Sequence, residues 1–184
     1  MILGLDISTS LGWALRNDSG KAVGHGVVKL ESGPTGKAAE ANASAVRDLL
    51  AMVEAVAEAA GEELGLALEG VDFSTFTKAH ASYWRVRTVI VLVARMRGYL
   101  DEPAVVSVSE LKRHAMQRAG MKGTGKKSRV TKADMVSAAI IADGVDFPPF
   151  EYTAGGQPTA ESKRSGDKAD ALHVTSWALE RAQG

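Results

Sequence analysis

The sequence ILGLDISTSLGWA, residues 2–14, decides the fold of this chain. An apolar run ends at Asp6, a short turn rich in Ser and Thr follows, and a second apolar run begins directly after it. The polar cluster at 17–20 is a strong hairpin turn signal. Together with a further apolar run, the pattern predicts an antiparallel meander of three short strands, at 2–7, 11–16 and 22–30.

The rest of the chain alternates helices and strands. Apolar residues at helical spacing predict the helices, and short apolar runs between Gly and Pro breakers predict the strands. Ser109 is the predicted N-cap of the third helix. We predict helices at about 37–60, 78–99, 109–119, 131–142 and from Asp167, strands at 64–69 and 104–108, and a long loop at 143–166. The result is an α/β fold with a mixed five-stranded sheet, three antiparallel strands and then parallel ones, flanked by helices.

Composition restricts the class of protein further. With 184 residues and 45% hydrophobic content, the chain is long enough for one domain, spanning 1–184, and too short for two ordinary ones. It contains no Cys, which excludes disulfides and thiolate metal sites. No long apolar run, secretory signal or lipidation signal is present, so we expect a soluble, cytoplasmic protein with no membrane partner.

Four carboxylates stand where such a fold can bring them together. Asp6 and Glu69 end apolar runs, at the predicted carboxyl ends of buried strands, where crevices open in α/β sheets. Asp167 and Asp170 share one helix face, and their predicted place in the first turn suits the helix dipole. Like charges about 4 Å apart repel by roughly 4 kcal/mol at an effective dielectric near 20, so the cluster needs cations or protons. The pattern indicates a divalent-metal nuclease in which all four acids are catalytic residues and metal ligands.

Basic residues are concentrated although the net charge is zero. The segment 111–132 contains no Asp or Glu and a series of Lys and Arg. Such a segment predicts contacts to nucleic-acid phosphates, which supply salt-sensitive affinity and little sequence information. The alternative is a solvated loop, which Lys-rich runs often form. The predicted DNA-binding residues here are Lys112, Lys122, Lys126, Lys127, Arg129 and Lys132.

These motifs resemble, in the same order along the chain, those of RuvC-type Holliday-junction resolvases. Residues 2–14 are similar to the opening strand and turn of that family, and ALEGV at 67–71 is similar to its strand-four glutamate. DKADAL at 167–172 resembles its closing acidic pair, and residues 107–135 resemble its basic helix-loop-helix stretch. The long loop before Asp167 is closer to the divergent phage-type members. The resemblance therefore covers nearly the whole chain.

The resemblance implies an RNase H-like fold and a homodimer that resolves four-way DNA junctions in recombination and repair. The protein would act in a bacterial cell, or in the host cytoplasm if a phage encodes it. Lys112 and Lys132 match lysines near the active site and the DNA backbone. Phe73 matches, one position late, an aromatic residue that can wedge against junction bases.

The mechanism expected from this resemblance uses two Mg²⁺ or Mn²⁺ ions about 3.5 to 4 Å apart, which activate water and stabilise the leaving oxygen. Asp6 would bridge both ions, Glu69 and Asp170 would complete the two ligand sets, and Asp167 would position metal or water. His173 is a candidate proton donor, against the alternative of a packed core residue. Ser8, with its neighbours in the turn, is a candidate for positioning water or phosphate, against ordinary turn chemistry.

Other functions are compatible with parts of the sequence. GMKGTGKKS at 120–128 nearly spells a phosphate-binding loop, but Lys127 replaces the Mg²⁺-binding hydroxyl residue and a helix precedes it. We therefore expect no nucleotide cofactor. An RNase H-like nuclease acting on flaps or RNA–DNA hybrids is one alternative, and a non-catalytic module that binds branched DNA is another. The apolar face of the helix at 78–99 is a candidate dimer seam, and it suits covering the sheet equally well.

Overall fold

The computed structural model describes residues 1–8, 10–31, 36–70, 78–99, 101–123 and 129–183. Its strands are β1 (Ile2–Ile7), β2 (Ser10–Arg16), β3 (Ala22–Lys29), β4 (Gly65–Glu69) and β5 (Ala104–Val106). Its helices are α1 (Gly36–Ala60), α2 (Lys78–Met96), α3 (Val108–Ala119), α4 (Lys132–Asp143) and α5 (Ala160–Gln183).

The strands form one mixed sheet in the order β3-β2-β1-β4-β5. The β1–β2 and β2–β3 pairs are antiparallel, whereas the β1–β4 and β4–β5 pairs are parallel. This is the sheet that the strand pattern predicts, so the predicted fold class is confirmed. Because β1 and β4 are adjacent and parallel, their carboxyl ends open at the same edge.

One face of the sheet is aliphatic. Alternate residues of β1 and β2, among them Leu5 and Leu15, are fully buried on this face. They pack in one cluster with Leu50 of α1 and Ile90 of α2. The predicted seam face of α2 therefore turns largely inward, although Met96 at its end is 86% exposed.

On the opposite face, the backbone of α5 packs directly against the backbone of the strands. A Cβ atom on Gly12 would lie 2.3 Å from the carbonyl oxygen of Asp167, and one on Gly4 would lie 2.7 Å from that of Ala171. Cβ atoms essentially never approach other heavy atoms so closely. Both glycines belong to the opening stretch, which thereby determines how closely the helix approaches the sheet.

An ion-paired cluster holds the helices at the end of the sheet away from Asp6. The buried Asp143 carboxylate, at the end of α4, accepts hydrogen bonds from Arg16 of β2 at 2.7 Å and from Arg118 of α3 at 2.9 Å. Burial opposes ionisation of Asp143, but the two guanidinium groups outweigh it and lower its pKa. Since α4 ends here, its first residue, Lys132, lies at the other end of the sheet.

Two predicted element ends are wrong. The N-cap of α3 is Ser107, whose hydroxyl accepts from the Glu110 amide, so β5 ends at Val106 and Ser109 lies inside the helix. Helix α5 begins at Ala160, not at Asp167. Its first turns bury small polar residues such as Ser162, which leave no apolar periodicity in the sequence.

Because α5 starts early, its acids do not lie in the first turn, where the helix dipole was expected to act on them. Asp167 and Asp170 lie about two and three turns into the helix, where the dipole of the first turn no longer acts. The predicted loop is correspondingly shorter and contains an isolated bridge between Tyr152 and Pro158. Among the described residues, no helix is long and apolar enough to cross a membrane.

Candidate metal centre

Three carboxylates converge at the open edge of the sheet. Leu5 of β1 pairs with Leu68 of β4, so the next residues, Asp6 and Glu69, lie side by side. Asp170 reaches them from α5, which packs over the same face. One carboxylate oxygen from each of these three acids lies within 4.8 Å of the other two.

Two hydrogen bonds hold the end of β4 at Glu69. The hydroxyl of Tyr83, on α2, donates to the backbone carbonyl of Glu69 at 3.0 Å. The next amide, Gly70 N, donates to the carbonyl of Val106 at 2.7 Å and ties β4 to β5. The strand end that presents Glu69 is therefore held from two sides.

Asp167 lies beside the three acids and is oriented by β2. The hydroxyl of Ser10 donates to Asp167 Oδ2 at 2.6 Å, which is a short, charge-assisted hydrogen bond. Asp167 is not in the set of three mutually close carboxylates. Its side chain is 13% exposed, so it lies between that set and solvent.

Lys132 places a positive charge among the acids. Its ammonium group donates to Asp170 Oδ2 and lies 3.6 Å from Asp6 Oδ2 and 3.7 Å from Asp167 Oδ1. It is the first residue of α4, directly after Thr131, which closes a capping box with Asp134.

The stem of Lys132 crosses α5 at Gly166. A Cβ atom on that glycine would lie 3.1 Å from Lys132 Cδ and 3.3 Å from its Cε, so a larger residue would crowd the stem. The Lys132 side chain as a whole is 44% exposed.

Asp6, Glu69 and Asp167 resist ionisation in this centre. Burial, followed by the charges of Asp170 and Asp167, raises the pKa of Asp6 to about 7 against the opposing effect of Lys132. Burial and the charges of Asp6 and Asp170 raise the pKa of Glu69 well above its usual range. Burial also raises the pKa of Asp167, although the Ser10 hydrogen bond opposes it. The centre therefore favours bound protons or cations near neutral pH.

The unpaired oxygens of the centre fit a hard divalent cation. Asp6 Oδ2 and Asp170 Oδ1 are buried without a hydrogen-bond partner in the part of the chain that the structure describes. Buried polar atoms are normally satisfied, so such exceptions indicate a functional use. Carboxylate oxygens are the ligands that Mg²⁺ and Mn²⁺ prefer. Asp6, Glu69 and Asp170 therefore have the chemistry of a site for these ions.

Comparison with known proteins gives a result for the fold. No protein-family model matches the sequence, and no curated protein matches it either. Two solved structures of Thermus thermophilus RuvC do match. The one in complex with Holliday junction substrate has a TM-score of 0.63 at 15% identity, covering 100% of this chain and 95% of that chain. The other has a TM-score of 0.59 at 14% identity, covering 100% and 96%.

The chain has the fold of RuvC. This RNase H-like architecture extends over the described residues from β1 to α5, in agreement with the resemblance of the motifs. The three mutually close acids come from the first strand, the fourth strand and the last helix of the RuvC fold.

The two predicted accessory residues occupy different surroundings within the RuvC fold. His173 is fully buried, its Nε2 lies 3.0 Å from the carbonyl oxygen of Met135, and burial lowers its pKa. This is the packed core environment that the sequence left as the alternative. Ser8 is exposed and donates to the carbonyl of Ser10 at 3.0 Å, so its hydroxyl closes the β1–β2 turn. The hydroxyl that contacts an acid belongs to Ser10, two residues later.

The structure describes four of the predicted DNA-binding residues. Lys132 lies among the acids, Lys112 is partly buried on α3, and Lys122 and Arg129 are exposed. Arg129 precedes Lys132 by three residues and therefore lies close in sequence to the centre. The remaining predicted residues, Lys126, Lys127 and Phe73, lie outside the described residues.

Proposed function

We propose that the protein is a metal-dependent, structure-selective endonuclease that hydrolyses phosphodiester bonds in branched DNA, with the four-way junction as its main substrate. The observation that carries the proposal is the set of three converging carboxylates, Asp6, Glu69 and Asp170, two of which have a buried oxygen without a hydrogen-bond partner among the described residues. A fold hosts many activities, so the argument depends on this site rather than on the architecture alone.

The acids supply the ligands for Mg²⁺ or Mn²⁺. Asp6, Glu69 and Asp170, whose ligand oxygens lie within 4.8 Å of one another, would hold the ions. Once bound, such ions would activate a water molecule and stabilise the leaving oxygen of an in-line displacement. Asp167, oriented by Ser10, positions water at the solvent side of the centre.

Lys132 has a separate role in this proposal. Burial opposes its protonation, but the charges of Asp170 and Asp6 outweigh burial and raise its pKa. The side chain therefore remains cationic throughout the physiological pH range. Because the side chain is 44% exposed, we propose that Lys132 also contacts a phosphate that approaches the centre from solvent.

The proposed substrate is supported by the neighbouring structures and by charge. One Thermus thermophilus RuvC structure of the same fold was solved with Holliday junction substrate. The exposed Lys122 and Arg129 supply cations for the DNA backbone outside the centre. Cutting two opposed strands of a junction requires two active sites, so we propose that the protein acts as a homodimer.

The decisive experiment is Mg²⁺-dependent cleavage of an end-labelled four-way junction beside linear duplex, flap and RNA–DNA hybrid controls. We expect paired nicks in opposed junction arms, and none with Asp6→Asn, because that change removes a charged ligand while leaving the fold intact. The matched control is Asp48→Asn, since Asp48 is an acid on the outer surface of α1 with a side chain that is 70% exposed.

Each other outcome has a defined meaning. Cleavage of flaps or hybrids alone would retain the metal centre and replace the substrate. Binding of junctions without any cleavage would leave a DNA-binding module. Cleavage by the Asp6→Asn variant at the wild-type rate would contradict the assignment of the centre itself.

A further inference from the structure

The first two turns of α5 extend beyond the sheet on the side of the carboxylates. Asp167 contacts the start of β2, through Ser10 and Gly12. Residues 160–166 precede it in the helix, so about 10 Å of helix projects past this contact at 1.5 Å per residue. These turns are the part of α5 that the sequence pattern does not predict.

The projecting turns are anchored rather than frayed. Ser162 is buried, and its hydroxyl accepts from the Glu151 amide at 2.7 Å and from the Thr159 hydroxyl at 2.9 Å. The Thr159 amide in turn donates to the carbonyl of Glu151 at 3.1 Å. Ser165 is also buried. The outward side chains of these turns therefore stand on a fixed backbone.

Two of those outward side chains are cations, and one of them, Lys163, is in line with the acids. At about 100° per residue, Lys163 lies about 40° from Asp167 around the helix axis, and Arg164 lies about 60° from it on the other side. Lys163, Asp167 and Asp170 therefore follow one stripe of α5. The acid of the same turns, Glu161, lies about 120° away and does not interrupt the stripe.

Neither cation is used inside the protein. Lys163 and Arg164 are exposed, and within the described part of the chain their side chains make no hydrogen bond or ion pair. Lys132, by contrast, is engaged with Asp6, Asp167 and Asp170. A DNA strand that approaches three or four carboxylates needs positive charge beside them, because its own phosphates are negative.

We propose that Lys163 and Arg164 form a phosphate-binding surface on the projecting turns of α5 that holds the DNA strand whose bond enters the carboxylate centre. The inference rests on the proposed nuclease function. The axial distance from Lys163 is about 6 Å to Asp167 and about 10 Å to Asp170. If the duplex axis runs along α5, at 3.4 Å of axis per nucleotide of one strand, the contacted phosphates lie about two to three nucleotides from the bond that is cut.

The test measures binding of the four-way junction as a function of salt, in an Asp6→Asn background that prevents cleavage. The variant is Lys163→Gln with Arg164→Gln, and the matched control is Lys21→Gln with Arg47→Gln. Lys21 lies in the hairpin at the far end of the sheet, and Arg47 is 60% exposed on α1. Gln is a good helix former, and all four side chains are exposed, so thermal unfolding should be unchanged.

In the proposed homodimer the double variant removes two phosphate contacts per protomer, four in all. The slope of log K against log salt should therefore fall by about 3.6, and binding should weaken roughly 100- to 1,000-fold near 0.15 M salt. The control should retain the parent slope. A neutral methylphosphonate placed two or three nucleotides from the cleavage site should weaken binding of the parent protein and leave binding of the Lys163/Arg164 variant unchanged.

An unchanged slope in the Lys163/Arg164 variant, with the parent protein binding junctions, would overturn this inference and leave the nuclease proposal intact. An equal loss in the Lys21/Arg47 control would also overturn it, because the effect would then reflect net charge alone. If the parent protein binds no branched DNA, the proposed function fails and this inference fails with it.

Discussion

The two faces of the sheet are built by opposite means. Under α1 and α2, side chains such as Leu5 and Leu50 fill the space between sheet and helices. Under α5, Gly4 and Gly12 leave no space to fill, and strand backbone meets helix backbone. Aliphatic packing supplies stability and tolerates small shifts, whereas contact between backbones fixes a distance. The face that carries the acids is the one on which distance is fixed.

The largest effect should follow from adding one methyl group to the α5 face. Gly12→Ala places a Cβ against the carbonyl of Asp167, where only movement of α5 relieves the overlap. A displacement near 1 Å costs about 100-fold in rate at such sites, and overpacking costs about 1 to 3 kcal/mol of stability. We expect activity per folded molecule to fall at least 100-fold. The increase in melting temperature on adding Mg²⁺ should largely disappear.

The matched change on the aliphatic face is Leu5→Ala. Leu5 is 1% exposed, so its truncation should cost about 2 to 5 kcal/mol of unfolding free energy. The molecules that remain folded should cleave at close to the wild-type rate, measured by normalising activity to the folded fraction. Equal loss of specific activity in Gly12→Ala and Leu5→Ala would contradict the assignment of catalytic geometry to the α5 face and of stability to the aliphatic face.

A second effect concerns pH, since the buried acids with raised pKa lie on the α5 side. The folded-state pKa of Asp6 is about 7, above its unfolded value near 4, so the native state holds its proton more tightly. The stability that this supplies is fully present below pH 4 and is lost as pH rises through 7. The pKa of Glu69 is raised too and acts in the same direction.

The measurement is thermal unfolding between pH 6.5 and 8.5, with EDTA and with Mg²⁺. Near pH 6.5 the unfolded state still partly protonates His25, His114 and His173, whose folded pKa values burial lowers. These groups make stability rise with pH, opposite to Asp6, so the Asp6 contribution is taken from the difference between the parent protein and Asp6→Asn. In EDTA the unfolding free energy should fall by up to a few kcal/mol as pH rises, and Mg²⁺ should restore it because metal binds the ionised acids. Asp6→Asn should flatten the EDTA curve. Parallel curves with and without Mg²⁺ would contradict a metal centre at these acids.

The sequence predicts the two faces unequally, for physical reasons. Strands are recognised from apolar runs, and acids at the ends of such runs are easily identified. The sheet and the positions of Asp6 and Glu69 could therefore be predicted from the sequence. The start of α5 could not be predicted, because Ser162 and Ser165 are buried although they are polar. The position of Lys132 near the acids could be predicted only from the family resemblance, because its partners come from β1 and α5, which are distant from it in sequence.

The smallest effect we expect separates two serines of the same turn. Ser10→Ala removes the 2.6 Å hydrogen bond to Asp167 Oδ2, and with it an interaction that lowers the pKa of that acid. A charge-assisted bond at a partly exposed site is worth about 1 kcal/mol or slightly more, so cleavage should slow by about tenfold or less. Ser8→Ala removes only exposed contacts within the turn, the bond to the carbonyl of Ser10 and a long one from the Ser10 amide, and should change the rate by less than about twofold. Single-turnover cleavage of the junction measures both.

If the two variants slow equally, the shape of the turn matters and the contact to Asp167 does not. If only Ser10→Ala slows, and its rate recovers at higher pH as Asp167 ionises, then the α5 face depends on single contacts from β2 as well as on the glycine spacing.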